Sequence, residues 1–418
     1  MAELYPFQRD AVGQLLAGKH IVISSTGSGK SAMSMKFAEL MVEQTGKCKI
    51  LVVTTASKVR AKNAEGDDDF TADAKRFCGE DFCELLPHAL ELISWHKLSA
   101  WTNQHYGELD EYIYIFDECQ RAGSGVSSGM GKAFLKITKH TEDWAGFTGT
   151  PGDNWLKFYP YFQATGLVWN KTSFMRTYAQ VQTFKGYPEV IGWNREDELK
   201  EMWAEISYAP DTSKVMNELP KETHKVITFK KPSTYNKILK TRTNADGELL
   251  DTSGALCSEL RRVCFTKDKQ EWIKDFIEGL GEGCVMFYNF TKTGDLMTSV
   301  IQKAMPKGAR VWRIDGKHHE IPTAETIGKY DVVVCQWQSG SEALNLQYLR
   351  AWVSVEPHYS YSTSIQARGR IRRIGQDRPQ IYYYLKTENT IEDAIYDALK
   401  GKSDFSADNW CIGEGIDF

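Results

Sequence analysis

The chain has 418 residues, enough for two or three domains with cores of their own. It is 42% hydrophobic and 25% charged, as globular proteins are, and no apolar run approaches the ~18–20 residues of a membrane-spanning helix. A net charge of −4 excludes a basic character throughout, though not a local basic face, and nine scattered cysteines without a Cys-x-x-Cys pair exclude a zinc or disulfide framework. The start Met1–Pro6 has no basic or apolar signal character, so the expectation is intracellular, cytoplasmic residence, nucleoid-associated in a bacterial or phage setting.

In chain order, the apolar run Ile21–Ile23 predicts a short buried strand. Ser24-Ser25-Thr26-Gly27-Ser28-Gly29-Lys30-Ser31 follows, and then a helix-like stretch from Ala32 to Glu43. Strand, glycine-containing loop and helix in this order form a phosphate-binding loop, in which loop N–H groups and the helix dipole meet the phosphates. Ser25, Thr26, Gly27, Ser28 and Gly29 are the candidate cradle. Lys30 supplies charge, and the Ser31 hydroxyl is placed for Mg²⁺. The usual pattern has Gly where this chain has Ser24.

Ile50–Val53, Leu92–Ser94, Tyr112–Phe116 and Ala145–Thr148 read as further buried parallel strands separated by crossover helices, an α/β sheet. Tyr112–Phe116 runs into Asp117-Glu118-Cys119-Gln120. Acidic residues at the carboxyl end of a parallel strand stand where open α/β sheets bind ligands. Asp117 is a candidate Mg²⁺ ligand, and Glu118 a candidate base for the attacking water. Thr148, Gly149 and Thr150, after the next strand, are placed to sense that pair.

From Asn154 to Glu222 aromatics crowd in and β-branched runs fade, which predicts a largely helical insert whose rings form core. Residues 223–279 read as a helical or linker entry to a second lobe. After about residue 280 a second set of strands appears, at Cys284–Tyr288, Arg310–Ile314, Val332–Cys335, Trp352–Val355 and Ile381–Leu385, with a helix over Ser362–Ile374. The expected organisation is a first lobe over 1–153, the insert over 154–222, the entry over 223–279, a second lobe over 280–400 and a tail over 401–418. Arg368, Arg370, Arg372, Arg373 and Arg378 form the densest basic stretch. Arg370 and Arg373, three apart, would share a helix face and act as arginine fingers on a nucleotide shared by the two lobes. Phosphate-backbone binding is the alternative for this face.

These segments in this order resemble superfamily 2 helicases and translocases, and within them the Swi/Snf-type ATPases, over roughly Leu4 to Leu399. The fold implied is two RecA-like parallel-sheet lobes with a helical insert. Leu4-Tyr5-Pro6-Phe7-Gln8 is similar to the adenine-recognition segment, with Gln8 the implied contact. Leu51–Thr55 and Ile93-Ser94-Trp95 resemble segments that touch a nucleic-acid backbone, which implies Thr54, Thr55 and Ser94. In the second lobe, Val285–Phe290 implies Asn289. Ser339–Gln347 resembles the fifth motif, implying Ser339 on nucleic acid and Gly340 at the nucleotide, with Ser341 and Ala343 where glycines are usual. Gln366–Gln376 matches the sixth motif, implying Gln366, Arg370 and Arg373 in catalysis.

The resemblance implies ATP and Mg²⁺ as cofactors and a compact motor of the size of small bacterial or phage members. The leading expectation is a DNA-stimulated ATPase that translocates along double-stranded DNA, with single-stranded DNA or RNA as alternative tracks. A strand-separating helicase and an ATP-gated scaffold with little turnover are the alternatives. No membrane role is expected. A protein partner would dock on the insert or the tail.

Overall fold

A computed structural model describes residues 2–60, 65–124, 128–152, 154–184, 187–318, 320–340, 345–374 and 376–416. The chain divides into two compact units, Met1–Met216 and Asn217–Phe418. Each is built on a six-stranded, all-parallel sheet.

In the first unit β1 (Ile21–Ile23), β2 (Lys49–Thr54), β3 (Leu90–Ser94), β4 (Tyr112–Asp117) and β5 (Trp144–Thr148) alternate with helices. β4 and β5 are buried along their whole length, which is why they read as unbroken apolar runs rather than alternating ones. Successive residues still face opposite ways. Tyr114 and Phe116 join the core under one face, while Ile113 and Ile115 join helix residues Met33, Met35 and Phe37 under the other. The strand order is β3-β2-β4-β5-β1, closed at the edge by β8 (Ser207–Tyr208).

Register then decides which residues meet. Ile23 lies opposite Thr148, and Asp117 opposite Phe147. The loops leaving β1, β4 and β5 therefore emerge side by side at the carboxyl edge of the sheet, where such sheets bind ligands.

The aromatic stretch holds helices Trp155–Ala164, Lys171–Tyr178, Glu196–Ile206 and Ser213–Glu218. Phe158, Tyr161, Phe162 and Phe174 share one core with Tyr114 and Trp144, so most of these rings are packing. The stretch is not wholly helical. Ala179–Phe184 (β6) and Tyr187–Trp193 (β7) form an antiparallel hairpin. Val181, Thr183, Phe184, Tyr187, Val190, Ile191 and Trp193 are strand-forming types, but Gln, Pro, Glu and Gly among them break the apolar run that marks the other strands.

In the second unit β9 (Glu222–Phe229), β10 (Cys284–Tyr288), β11 (Val311–Ile314), β12 (Val332–Gln336), β13 (Ala351–Ser354) and β14 (Gln380–Thr387) take the order β11-β12-β10-β13-β14-β9. The stretch expected as helix or linker thus opens with a strand. β9 is an edge strand paired with β14 over eight positions, from Glu222 opposite Gln380 to Phe229 opposite Thr387. Its exposed Thr223, His224 and Lys225 suit an edge and mask the strand signal. No helix among the described residues is long and apolar enough to cross a membrane. Helix Ala407–Gly413 in the tail buries Cys411 against the second unit's helical core and leaves Ile412 outward.

Candidate active site

The first wall of the site is the loop between β1 and helix Lys30–Thr45. Ser24 N–H donates to Thr148 O at 2.9 Å, continuing the sheet pairing into the loop. Gly29 then takes the left-handed conformation, φ +82°, and starts the helix. It has no side chain to cap the first turn, which leaves those N–H groups for a phosphate. A Cβ on Gly29 would stand 2.4 Å from Gln8 Nε2, so another residue here would push that amide off Ser28 O as well as strain the left-handed backbone.

Gln8 is buried against that glycine. Its Nε2 donates to Ser28 O at 2.8 Å, and its Oε1 accepts from Tyr5 N–H at 2.9 Å. The side chain expected at the nucleotide therefore braces the backbone of the phosphate loop. Ser24, standing where glycine is usual, is also accounted for. Its hydroxyl donates to Ser28 Oγ at 2.7 Å, a bond inside the loop that glycine could not make. Lys30 is 9% exposed, and its Nζ donates to Ser24 O at 3.1 Å and Ser25 O at 3.3 Å. Ser25 is exposed, Thr26 and Gly27 half-buried, and Ser31 is the second residue of the helix.

The second wall is the turn after β4. Asp117 is 2% exposed. Two donors converge on its Oδ2, Thr54 Oγ1 at 2.5 Å and Lys58 Nζ at 2.9 Å. Burial pushes the Asp117 carboxyl up, but the Lys58 charge, these two bonds and the Lys30 charge outweigh it and hold it below the usual carboxylate range. Trp95 Nε1 donates to Asp117 O at 2.8 Å and fixes the backbone there.

Glu118 follows with φ +50°, a conformation uncommon outside glycine and often held at functional turns. Its Oε2 accepts from Gln120 Nε2 at 2.8 Å. Gln120 Oε1 accepts from Thr148 Oγ1 at 2.7 Å, and Thr148 Oγ1 accepts from Thr150 N–H at 3.0 Å. A continuous hydrogen-bonded chain thus joins the acidic turn to the turn after β5. Gly149, between those threonines, closes the triangle. A Cβ there would lie 3.4 Å from Ser24 O, 3.7 Å from Lys30 Nζ and 3.8 Å from Thr26 Oγ1.

Phosphate loop, acidic turn and Thr148–Thr150 therefore occupy one corner of the first unit. Mg²⁺ is commonly held by one or two side chains plus substrate phosphates. The hydroxyl of Ser31 and the carboxylate of Asp117 are a donor set of that kind.

Residues implied for nucleic acid are placed differently. Thr54 is wholly buried with its hydroxyl on Asp117, so its side chain belongs to the acidic turn and does not suit a backbone contact. Thr55 is also buried, and its carbonyl accepts from Val59 N–H in the short helix Ala56–Arg60. Ser94 is buried at the end of β3. Asn289 donates its side-chain amide to Pro357 O at 2.8 Å, and its carbonyl accepts from Gln336 Nε2.

Ser339, half-buried, and Gly340 lie on the one-turn helix Trp337–Gly340; residues 341–344 of that motif fall outside the described ones. A Cβ on Gly340 would stand 2.6 Å from Cys335 Cβ and 3.1 Å from Phe287 Cε1. Packing is thus a sufficient reason for glycine. Gly340→Ala should lower stability by about 1–3 kcal/mol in a denaturant titration while leaving nucleotide affinity unchanged. Weakened nucleotide binding at unchanged stability would restore a ligand role.

The basic stretch departs most from expectation. Its helix ends at Arg368, capped by Gly369, so Arg370 and Arg373 lie in the turns beyond and share no helix face. The phosphate-backbone reading loses two of its arginines. Arg372 Nη1 pairs with Glu222 at 2.9 Å and Arg368 Nη2 with the same carboxylate at 3.6 Å, tying this segment to β9. Although burial pushes the Glu222 carboxyl up, His224 and these guanidiniums hold it below its ordinary value. Arg378 donates to Tyr348 O at 2.6 Å and pairs with Glu282 at 3.3 Å.

Gln376 Nε2 donates to Gln347 O at 2.6 Å and to Leu349 and Ile371 carbonyls, closing the turn from within. Gly375 lies outside the described residues. Gln366 is buried on the helix. Arg370 is 3% exposed, and its carbonyl accepts from Leu346 N–H.

Lys58 carries no sequence signal that singles it out, and neither Thr54 nor Gln120 carries one for its partner in the acidic turn's network. Lys58 reaches Asp117 across 59 positions, Thr54 across 63, and Gln120 reaches Thr148 across 28. Only the sheet register brings them together.

Comparison with known proteins bears on the first unit most directly. The sequence model of one family, SWI2/SNF2 ATPase, matches residues 11–157. Putative helicase 172L of Invertebrate iridescent virus 6 is 28% identical over 127 residues, 29% of this chain and 21% of that protein. The chain therefore spans about a fifth of the length of that relative. Among solved structures, the Sulfolobus solfataricus SWI2/SNF2 ATPase core in complex with dsDNA is similar at a TM-score of 0.43 and 16% identity, covering 96% of this chain and 91% of that one.

Proposed function

We propose, of a chain that belongs to the Swi/Snf-type ATPases of superfamily 2, that it is a DNA-stimulated ATP hydrolase that moves along double-stranded DNA. The observation that carries this reading is the single corner in which Lys30, Asp117 and Glu118 converge and from which Gln120 leads to Thr148 and Thr150.

The phosphate loop, held by Gln8 and Ser24, would receive the β- and γ-phosphates on its N–H groups and on Lys30. Ser31 and Asp117 would hold Mg²⁺, which supplies neutralisation of phosphate charge. Glu118 would orient the attacking water and accept its proton. A change in hydrogen bonding at Glu118 would pass through Gln120 to Thr148 and the following turn, linking the chemistry to movement. Arg370 and Arg373 of the second unit would complete the site as fingers on the transferred phosphoryl group.

Backbone contacts carry no sequence information, so DNA binding is expected to be indifferent to sequence and strongly weakened by salt. Steady-state ATP turnover with duplex DNA, single-stranded DNA and RNA at matched salt tests the proposal. Stimulation should be strongest with duplex, and triplex displacement should occur without opening of a forked duplex. Turnover unaffected by any nucleic acid would refute the motor reading. Robust opening of the fork would convert it to strand separation.

A further inference from the structure

We infer that Lys58 is a placeholder cation: its ammonium neutralises the buried Asp117 carboxylate until a divalent ion arrives and then yields the carboxylate to the metal. The inference rests on Asp117 being the Mg²⁺ ligand, and goes beyond it by assigning a residue that the phosphate loop and acidic turn do not include.

The geometry carries it. A carboxylate 2% exposed needs a positive partner close by, and Lys58 Nζ provides it at 2.9 Å. The lysine is itself withdrawn from water, its side chain 12% exposed and its Nζ 5.3 Å over the Phe70 ring. Both Thr54 and Lys58 donate to one oxygen, Oδ2. A Mg²⁺ ion binds carboxylate oxygen at about 2.0–2.1 Å and requires near-octahedral space. An ammonium 2.9 Å from that carboxylate would then face a divalent charge a few ångströms away. One cation displaces the other.

Asp69 and Glu118 are the other carboxylates whose charge bears on that ammonium. Its carrier, Ala56–Arg60, is a helix of only five residues. Lys58 is in this sense a positioning residue. It holds Asp117 oriented for metal through the 2.9 Å contact, and the exchange makes metal loading and the Lys58 position mutually dependent.

The test uses the full chain and Mg²⁺ alone, without nucleotide. Lys58→Met should lower the thermal midpoint by several degrees in chelator, because it leaves the Asp117 charge buried without a partner. Millimolar Mg²⁺ should recover at least half of that deficit, while moving the unaltered protein little. Lys58→Arg, which keeps the cation, should show no such recovery, and neither should Lys58→Met combined with Asp117→Asn. Mn²⁺ titration followed by electron paramagnetic resonance should give tighter binding in Lys58→Met by about tenfold, within the usual range for coupled ligands.

If Lys58→Met does not fold in chelator, Lys58→Gln, which keeps a donor without charge, takes its place. A deficit that Mg²⁺ leaves untouched, with unchanged Mn²⁺ affinity, makes Lys58 a structural residue only. Asp117→Asn in otherwise unaltered protein separates the two claims. If it weakens Mn²⁺·ATP binding and the Lys58 arms fail, the placeholder idea alone falls. If it changes nothing, the Asp117 assignment falls as well.

Discussion

Glu118→Gln should bind Mg²⁺·ATP nearly as the unaltered protein does and hydrolyse it about 10²–10⁴-fold more slowly, the usual contribution of a general base. The reason lies in how separately the two carboxylates are held. Asp117 is fixed by Thr54 and Lys58, and Lys30 is fixed by the loop carbonyls, and none of those contacts uses the Glu118 side chain. Glu118, at φ +50°, instead places its Oε2 on Gln120. The amide of Gln has almost the same shape but cannot take a proton from water, so the chemical step loses its base while the phosphate cradle stays intact. Lys30→Ala is the control with the opposite character, losing nucleotide binding as well as turnover. Fluorescent-nucleotide titration and single-turnover hydrolysis distinguish the two. Wild-type turnover in Glu118→Gln, or a binding defect equal to that of Lys30→Ala, would remove the base from Glu118.

How much of this was legible in the chain depends on the range of the interaction. The phosphate loop is a local object: an apolar strand, two glycines and a helix start lie within a few positions, and its sequence pattern is complete without distant residues. The parallel strands of both sheets are legible for a similar reason, since burial on both faces writes each as a continuous apolar run. Edge elements are not. β9 carries charges because only β14 pairs with it, and the strand-forming residues of the hairpin β6–β7 are interrupted by Gln, Pro, Glu and Gly.

The basic stretch shows the deepest limit. Spacing suggests that Arg370 and Arg373 share a face, but the helix ends at Arg368, capped by Gly369, before either is reached. Charge count suggested a phosphate-binding surface, but one carboxylate, Glu222, nearly 150 positions away, takes Arg368 and Arg372. A sequence states which residues are charged. The partner of each is a property of topology, and so is the meeting of Lys58 with Asp117.

That division within the basic stretch gives the second large effect. Arg373→Ala should slow hydrolysis by about 10³–10⁵-fold, the range for loss of an arginine finger, with ATP affinity and thermal midpoint close to those of the unaltered protein. In energy this is about 4–7 kcal/mol of transition-state stabilisation, far more than a partly exposed ion pair contributes to folding. Arg372→Ala is the matched comparison one residue away. Its guanidinium sits on Glu222, so its removal should loosen the attachment of β9 and lower stability by about 1 kcal/mol with little change in the chemical step. Gln376 keeps the intervening turn closed in both variants through its bonds to Gln347, Leu349 and Ile371, so neither substitution should unravel the segment. The readouts are single-turnover hydrolysis at saturating ATP and a denaturant titration on each protein. Equal losses of rate in the two variants would mean that the arginines act through the structure of the turn. A rate loss confined to Arg373→Ala would mean that its charge acts on the nucleotide itself, because the neighbouring cation, removed from the same turn, leaves the chemistry running.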